Sequence, residues 1–463
     1  MKTAQVFSPF DGHLIKELAL QTDNEIEKMM ATAYALTLNP DNVVPLPERL
    51  EILEKTARLV EERMDDYVLQ ATEEGGKPYS DSRVELVRAV QGIREAACAL
   101  RELKGEEIPM GLTAPSLGRR AFTVREPIGL VVAVSAFNHP FNLIVHQVVT
   151  AVAAGCPVIV KPAIATPLSC LNLVECLYEA GLPKQWLQVA ICRRDLTEKM
   201  VTDKRTAFFS FIGSAKVGWG LRSKLAPGAR CALEHGGAAP VIVEADADIK
   251  EALPLLAKGG FYHAGQVCVS VQRIFVHHSI AESLADQLST IAKKLVVGDP
   301  ANPETEVGPL ITRGEVDRVH EWVEEAKALG GKILTGGKKI GKTCYEPTVI
   351  YNPSPEALVS TKEIFGPVVC VYPYKERLKA IEQANDVDFS FQAAVFTQDL
   401  DVAFDTVKRL SAAAVMVNDH TAFRVDWMPF AGHKTSGLGV GGILPAMKEL
   451  TKEKLIVLNL KTP

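Results

Sequence analysis

Over most of its length the chain alternates short, uninterrupted apolar runs with longer stretches of helical spacing. GLVVAVS at 129–135 is followed by a helical pattern over 141–154, then by PVIVKPA at 157–163. Runs with no polar residue at alternate positions need cover on both faces. Strands of that kind, joined by helices, build mostly parallel sheets. The pattern continues with a helix over 167–180, stopped at Gly181-Leu182-Pro183, and strands QVAIC (188–192) and AFFSFIG (207–213). A second block starts near residue 240. It predicts strand PVIVEAD, helix 249–261, strand QRIFVHH, helices 279–295 and 314–329, strands VVCVYPY and AAVFT, helix 401–411 and strand AAVMVN. Helical periodicity also covers 24–37, 47–75 and 82–104. The predicted class is α/β, with two doubly wound α/β domains in series, since 463 residues exceed one compact core. RAFTVREP (120–127) and KLIVLNL (454–460) are strand-like with no helix attached. They are expected to pair as a small β-strand oligomerisation flap, because exposed edges of that kind join subunits.

Composition narrows the function. A net charge of −5 offers no basic face for nucleic acid. No apolar run is long enough to span a bilayer, and MKTAQVFSPFDG has no apolar signal segment, so a cytoplasmic protein is expected. Nine cysteines are scattered without CxxC or His/Cys clusters, which speaks against a disulfide framework and a metal site.

Two glycine-rich stretches invite a phosphate. SGLGVGG (436–442) contains G-x-G-x-x-G, but it neither follows a strand nor opens a βαβ unit, so a flexible turn is expected. FSFIGSAKVG (209–218) is a better candidate. A strand there runs into Gly213-Ser214 and a helix, whose free N–H groups and the Ser214 hydroxyl can face a pyrophosphate; an ordinary βα turn is the alternative reading.

Four stretches carry the chemistry: VSAFNHPFN (134–142), VIVKPA (158–163), LEHGGAAP (233–240) and GQVCVS (265–270). With GDPANPETEVGPLI, EPTV, KEIFGPV and MPFAGHKTSGLG, they make the chain resemble the NAD(P)-dependent aldehyde dehydrogenase superfamily over nearly its whole length. Glu234 precedes Cys268 by 34 residues, the family's usual interval. The resemblance implies a nucleotide-binding domain (1–114 and 130–233), a catalytic domain (234–440) and a flap (115–129 and 441–463). It further implies a homodimer or homotetramer, with NAD or NADP as cofactor.

By the same resemblance Cys268 is the nucleophile. Its thiolate attacks the aldehyde carbon, and a thiohemiacetal oxyanion forms. The Asn138 amide and the cysteine N–H hold that oxygen, a donor worth about 3 kcal/mol of barrier. Loss of hydride to the nicotinamide leaves a thioester, which Glu234 resolves by activating water. Relatives that pass the acyl group to coenzyme A usually lack this glutamate, so its presence favours a free acid over acyl transfer. Retention of the whole set argues against a non-catalytic cofactor-binding homologue. The cofactor set implied is Ser135, Phe137, Lys161, Ala163, Gly213, Ser214, Val217, Glu363 and Phe365. Lys161 takes the adenosine ribose or a 2′-phosphate, Glu363 the nicotinamide ribose, and Phe365 packs near the ring. Departures from the family pattern are Ile164 where NAD-preferring members carry glutamate, His235 for leucine, and the irregular segment QVAICRRDLTEKM.

His139, Asn142 and His146 lie on or before the helix that lines the family's access tunnel, and Arg424 borders the pocket from the other side. Two histidines, an amide and an arginine make a polar mouth suited to an anionic head group. A short aldehyde with a carboxylate, phosphonate, sulfonate or hydroxyl is expected. The FRVD wording resembles lactaldehyde- and phosphonoacetaldehyde-type members. Arg424 paired with Asp426 as structure is the alternative reading.

Overall fold

The computed structural model describes residues 2–460. Residue 1 and residues 461–463, the last assigned to the flap, lie outside it. Two parallel sheets organise the chain. The first has the spatial order Gly437–Leu438, Arg230–Glu234, Thr206–Ile212, Leu130–Val134, Val158–Lys161, Leu187–Val189. Only the short edge strand Gly437–Leu438 is antiparallel. Leu130–Val134 shows why the apolar run is continuous. Val131 and Ala133 enter one core with Leu53, Leu86 and Leu173 of the helices on one face, while Leu130, Val132 and Val134 enter another with Ile26, Met30 and Met200. Strands are added first on one side of Leu130–Val134 and then on the other, so a crevice opens at the carboxyl ends where the winding reverses.

The second sheet has the order Lys332–Thr335, Thr348–Tyr351, Val368–Tyr374, Arg273–His277, Pro240–Val243, Gln392–Phe396, Ala414–Val417. It is parallel except at Lys332–Thr335 and has its own core. The third sheet pairs Arg119–Pro127 with Thr451–Asn459 along both strands, and Glu107–Ile108 joins the other edge. Before that strand, helix Ile443–Glu449 buries Ile443 and Met447 in the core of the first unit, so the chain enters the flap at Thr451.

Several predicted elements differ in detail. The helix expected over 47–75 is two, Leu46–Glu62 and Met64–Gly75. Arg63 breaks the run at φ −105° and ψ 17°, its guanidinium reaching Glu179 at 2.7 Å, and Asp65 and Asp66 favour a fresh N-terminus. The helix over 141–154 contains a π turn at Val145–Val149, a distortion that apolar periodicity does not report. The strand expected over 188–192 is confined to Leu187–Val189. No helix among the described residues is long and apolar enough to cross a membrane.

Candidate active site

A cavity of about 900 Å³ opens at the crevice, and every site residue singled out from the sequence borders it. The parallel strands explain why. Ser135 follows Leu130–Val134, Lys161 ends Val158–Lys161, Gly213-Ser214 follow Thr206–Ile212, and Glu234 ends Arg230–Glu234. One sheet edge thus presents residues from four separate motifs.

Cys268 sits on a loop with an unusual backbone. His263, Ala264 and Gly265 are successively left-handed, at φ 46°, 53° and 69°. Such conformations cost of order 1–3 kcal/mol each for residues with a side chain and persist only where the surroundings hold them. Gly265 is required: a Cβ there would lie 2.1 Å from the Gly366 carbonyl oxygen. The next residues are anchored. Buried Gln266 donates from Nε2 to the Pro309 carbonyl at 3.2 Å and accepts from the Ile311 N–H at 2.9 Å. Thr421 donates to the Val269 carbonyl at 2.6 Å and Ser270 to the Gly259 carbonyl at 3.1 Å. Asn138 Nδ2 donates to the Gln266 carbonyl at 2.9 Å. A primary amide has a second N–H, which leaves one donor for an oxygen bound beside Cys268.

The charges around the sulfur shift its titration and that of its neighbours. Burial first, then the charges of Glu234 and Glu363, push the Cys268 thiol well above its ordinary range; Arg424 and the Cys268 N–H oppose them. Burial lifts Glu234 to about 7 and Glu363 to about 8. Burial and the two neighbouring carboxylates thus favour the protonated thiol in the free enzyme. Glu363 packs directly on residue 236, which has to be glycine: a Cβ there would lie 1.6 Å from Glu363 Oε1.

The arm of the cavity expected to hold a dinucleotide presents polar groups that the protein leaves free. Ser135 Oγ, His235 Nε2 and Glu363 Oε1 are buried without a hydrogen-bond partner. Ser214 caps helix Ala215–Arg222 without a side-chain bond, leaving its hydroxyl and the first N–H groups of that helix for a ligand. Phe137 and Phe365 meet edge-on, ring centroids 5.9 Å apart. Bound NAD(P)+ supplies the hydride acceptor and a positive ring. SGLGVGG does not border this cavity. A Cβ on Gly437 would lie 2.5 Å from the Leu233 carbonyl, and Gly441 pairs with Phe430, so these glycines allow close packing behind Glu234.

At the substrate end the polar residues divide. Asn142 Nδ2 and His146 Nε2 bond Asp426 at 3.1 and 2.7 Å. Arg88 grips the same carboxylate from Nε and Nη2 at 3.1 and 2.8 Å. Burial raises Asp426, but His146 and Arg88 outweigh it and hold the group well below the usual carboxylate range. His139 Nε2 pairs with Tyr262 OH at 3.1 Å. Arg424 is not tied to Asp426, two residues away. Its guanidinium lies 3.8 Å over the Phe430 ring, and its buried Nη1 has no partner. Burial lowers it to about 10. Arg88 and Tyr262 escape a sequence reading. Arg88, in the middle of helix Tyr79–Ala99, reads as a solvated charge, and Tyr262, six residues before the nucleophile, reads as core.

Known proteins match this arrangement. Residues 1–456 fit the family model described as "Aldehyde dehydrogenase family". The 3-sulfolactaldehyde dehydrogenase of Priestia megaterium is 38% identical over 457 residues, covering 98% of this chain and 95% of that protein. The crystal structure of aldehyde dehydrogenase 21 from Physcomitrella patens with the product succinate superposes at a TM-score of 0.96, with 33% identity over 100% of this chain and 96% of the other. Glyceraldehyde-3-phosphate dehydrogenase from Methanocaldococcus jannaschii, complexed with NADP, superposes at 0.94, with 32% identity over 99% of each chain. With a whole-length family match and motif residues gathered at one sheet edge, the chain belongs to the aldehyde dehydrogenase family.

Proposed function

We propose that this NAD(P)-dependent oxidoreductase converts a short anionic aldehyde to its acid through a thiohemiacetal and a thioester on Cys268, with Glu234 as the base for hydrolysis. One observation carries the substrate class. Arg424 is a partly buried cation on the cavity wall with no ion-pair partner among the described residues, whereas Arg88 is already neutralised by Asp426. A guanidinium without an ion pair in that position favours an anion, and stacking on Phe430 keeps it in place. Arg424 acts electrostatically on both Cys268 and Glu234, which suits a head group only a few atoms from the reacting carbon. Asn142, His146 and Arg88 serve as the frame of this pocket, held by Asp426, and His139 with Tyr262 forms its other polar wall. The printed names of the relatives point the same way, since sulfolactaldehyde, succinate and glyceraldehyde 3-phosphate all carry an anionic group. The exposed Leu455 and Val457 of the edge strand Thr451–Asn459 support assembly into a dimer or tetramer.

The test compares Arg424→Ala with wild type on succinate semialdehyde and on propionaldehyde. Loss of a charge-assisted pair should lower kcat/KM for the anion about 10- to 100-fold more than for the neutral aldehyde, whose own loss reads the effect of the Arg424 charge on Cys268 and Glu234. Equal losses on both would remove Arg424 from substrate recognition.

A further inference from the structure

Three segments of the active site are fastened to one face of one helix. Asp81, Glu85 and Arg88 stand at i, i+4 and i+7 in helix Tyr79–Ala99, so they share a stripe about 10 Å long. Arg88 holds Asp426 beside Arg424, and Glu85 accepts from the Phe141 and Asn142 N–H groups after Asn138. Asp81 completes the set. It is buried, and its Oδ1 accepts from Lys258 Nζ at 2.8 Å while Oδ2 accepts from the His263 N–H at 3.2 Å. His263 opens the left-handed run that leads to Cys268, five residues on. Its imidazole does not secure that run: Nδ1 and Nε2 are buried with no hydrogen-bond partner among the described residues. Among those residues, Asp81 is the only side chain from outside the loop bonded to the backbone of His263-Ala264-Gly265. Gln266 fixes the far end and receives Asn138 Nδ2 on its carbonyl.

Residues with a side chain keep a left-handed backbone only where their surroundings hold it, and a carboxylate on an amide N–H is one of the stronger ties available. We infer that Asp81 is a positioning residue for the nucleophile: through the His263 N–H it sets where Cys268 stands relative to Asn138. Asp81 does not border the cavity, so it acts through the loop and touches no reactant. The inference rests on the reading of Cys268 as nucleophile and Asn138 as oxyanion donor. The competing role is the ion pair with Lys258, whose side chain is half-exposed. A neutral acceptor at residue 81 separates the two, since it keeps the bond to the His263 N–H and gives up the charge.

The test is a double-mutant cycle on the full chain. Stopped-flow reads the single-turnover rate of hydride transfer from propionaldehyde, with whichever of NAD+ and NADP+ wild type reduces faster. Asp81→Ala should slow hydride transfer about 10- to 100-fold, while alkylation of Cys268 by iodoacetamide, which needs no oxyanion donor, stays within about threefold of wild type. The same split is expected of Asp81→Ser, which keeps a polar group that is one bond too short for the His263 N–H. Asp81→Asn should recover most of the rate. In an Asn138→Ala background, Asp81→Ala should cost less than about threefold, because the donor with which the loop is aligned is gone. Losses that multiply across the two sites would overturn the inference. So would unaltered hydride transfer in Asp81→Ala, a fall in alkylation as large as the fall in hydride transfer, or an Asp81→Asn enzyme as slow as Asp81→Ala. Wild type that iodoacetamide neither labels at Cys268 nor inactivates would sink the thioester reading and this inference with it. If wild type is labelled and inactivated, any of the earlier failures sinks the inference alone.

Discussion

Replacing Glu234 by glutamine keeps the shape of the side chain and removes its ability to accept a proton. Burial places the Glu234 carboxyl at about 7, against 4.5 for an exposed glutamate. The base form is then about one tenth of the population at pH 6 and about nine tenths at pH 8, so hydrolysis should rise close to tenfold across that window. In stopped-flow, Glu234→Gln should release about one reduced cofactor per Cys268 in a burst. It should then settle to a steady rate about 10²- to 10⁴-fold below wild type, without the inflection near pH 7. Mass spectrometry of the stalled enzyme should find the acyl group on Cys268. Stability gives an independent reading. The folded chain keeps this proton up to about pH 7, while the unfolded chain releases it near 4.5, so the wild type loses stability as pH rises between those values. The cost is about 3 kcal/mol above pH 7 and vanishes below 4.5, and the glutamine variant escapes it. Denaturant titrations should therefore show the variant more stable than wild type at pH 8 and nearly equal at pH 4.5. A variant that turned over at the wild-type rate with its inflection intact, or gained the same stability at both pH values, would refute this account of Glu234.

Two further changes test the supports of the site. Asn138→Ala should lower kcat about 10²- to 10³-fold by removing an oxyanion donor, and alkylation of Cys268 by iodoacetamide should stay near the wild-type rate. A matching fall in alkylation would mean that Asn138 serves only to hold the loop at Gln266. The fully buried Lys77–Glu85 pair anchors the start of the helix after Asn138, since Glu85 accepts from the Phe141 and Asn142 N–H groups at 2.9 Å each. Lys77→Met should cost about 3–5 kcal/mol in urea denaturation by stranding a buried carboxylate, and adding Glu85→Gln should recover part of it.

Chemistry that depends on a local backbone pattern can be read from sequence. Each of Ser135, Lys161 and Gly213 stands at or just past the end of an apolar run, and the carboxyl ends of parallel strands share one edge; Glu234 ends Arg230–Glu234, a strand that apolar spacing did not show. Three of these strands and the edge they share were therefore legible together, with Glu234, Cys268 and Glu363 supplied by family wording. Distortions were not. The left-handed run His263-Ala264-Gly265 and the π turn at Val145–Val149 depend on what packs against them, and apolar spacing is silent on that. Partners across the cleft were also hidden. Asn142 and His146 share a helical face and looked free to grip a substrate, yet both point at Asp426, more than 270 residues on. The two arginines show what decides such cases. Adjacency in the chain favours Arg424 as the partner of Asp426, but the fold gives that carboxylate to Arg88, 338 residues earlier. Once Asp426 is bound by Arg88, His146 and Asn142, it has little left for a second guanidinium. Arg424 is then left without an ion pair, with Glu234 and Asp426 acting on its charge only through space. The allocation of one buried carboxylate thus separates an arginine that is paired from one that is not, and that allocation is a property of packing between distant segments.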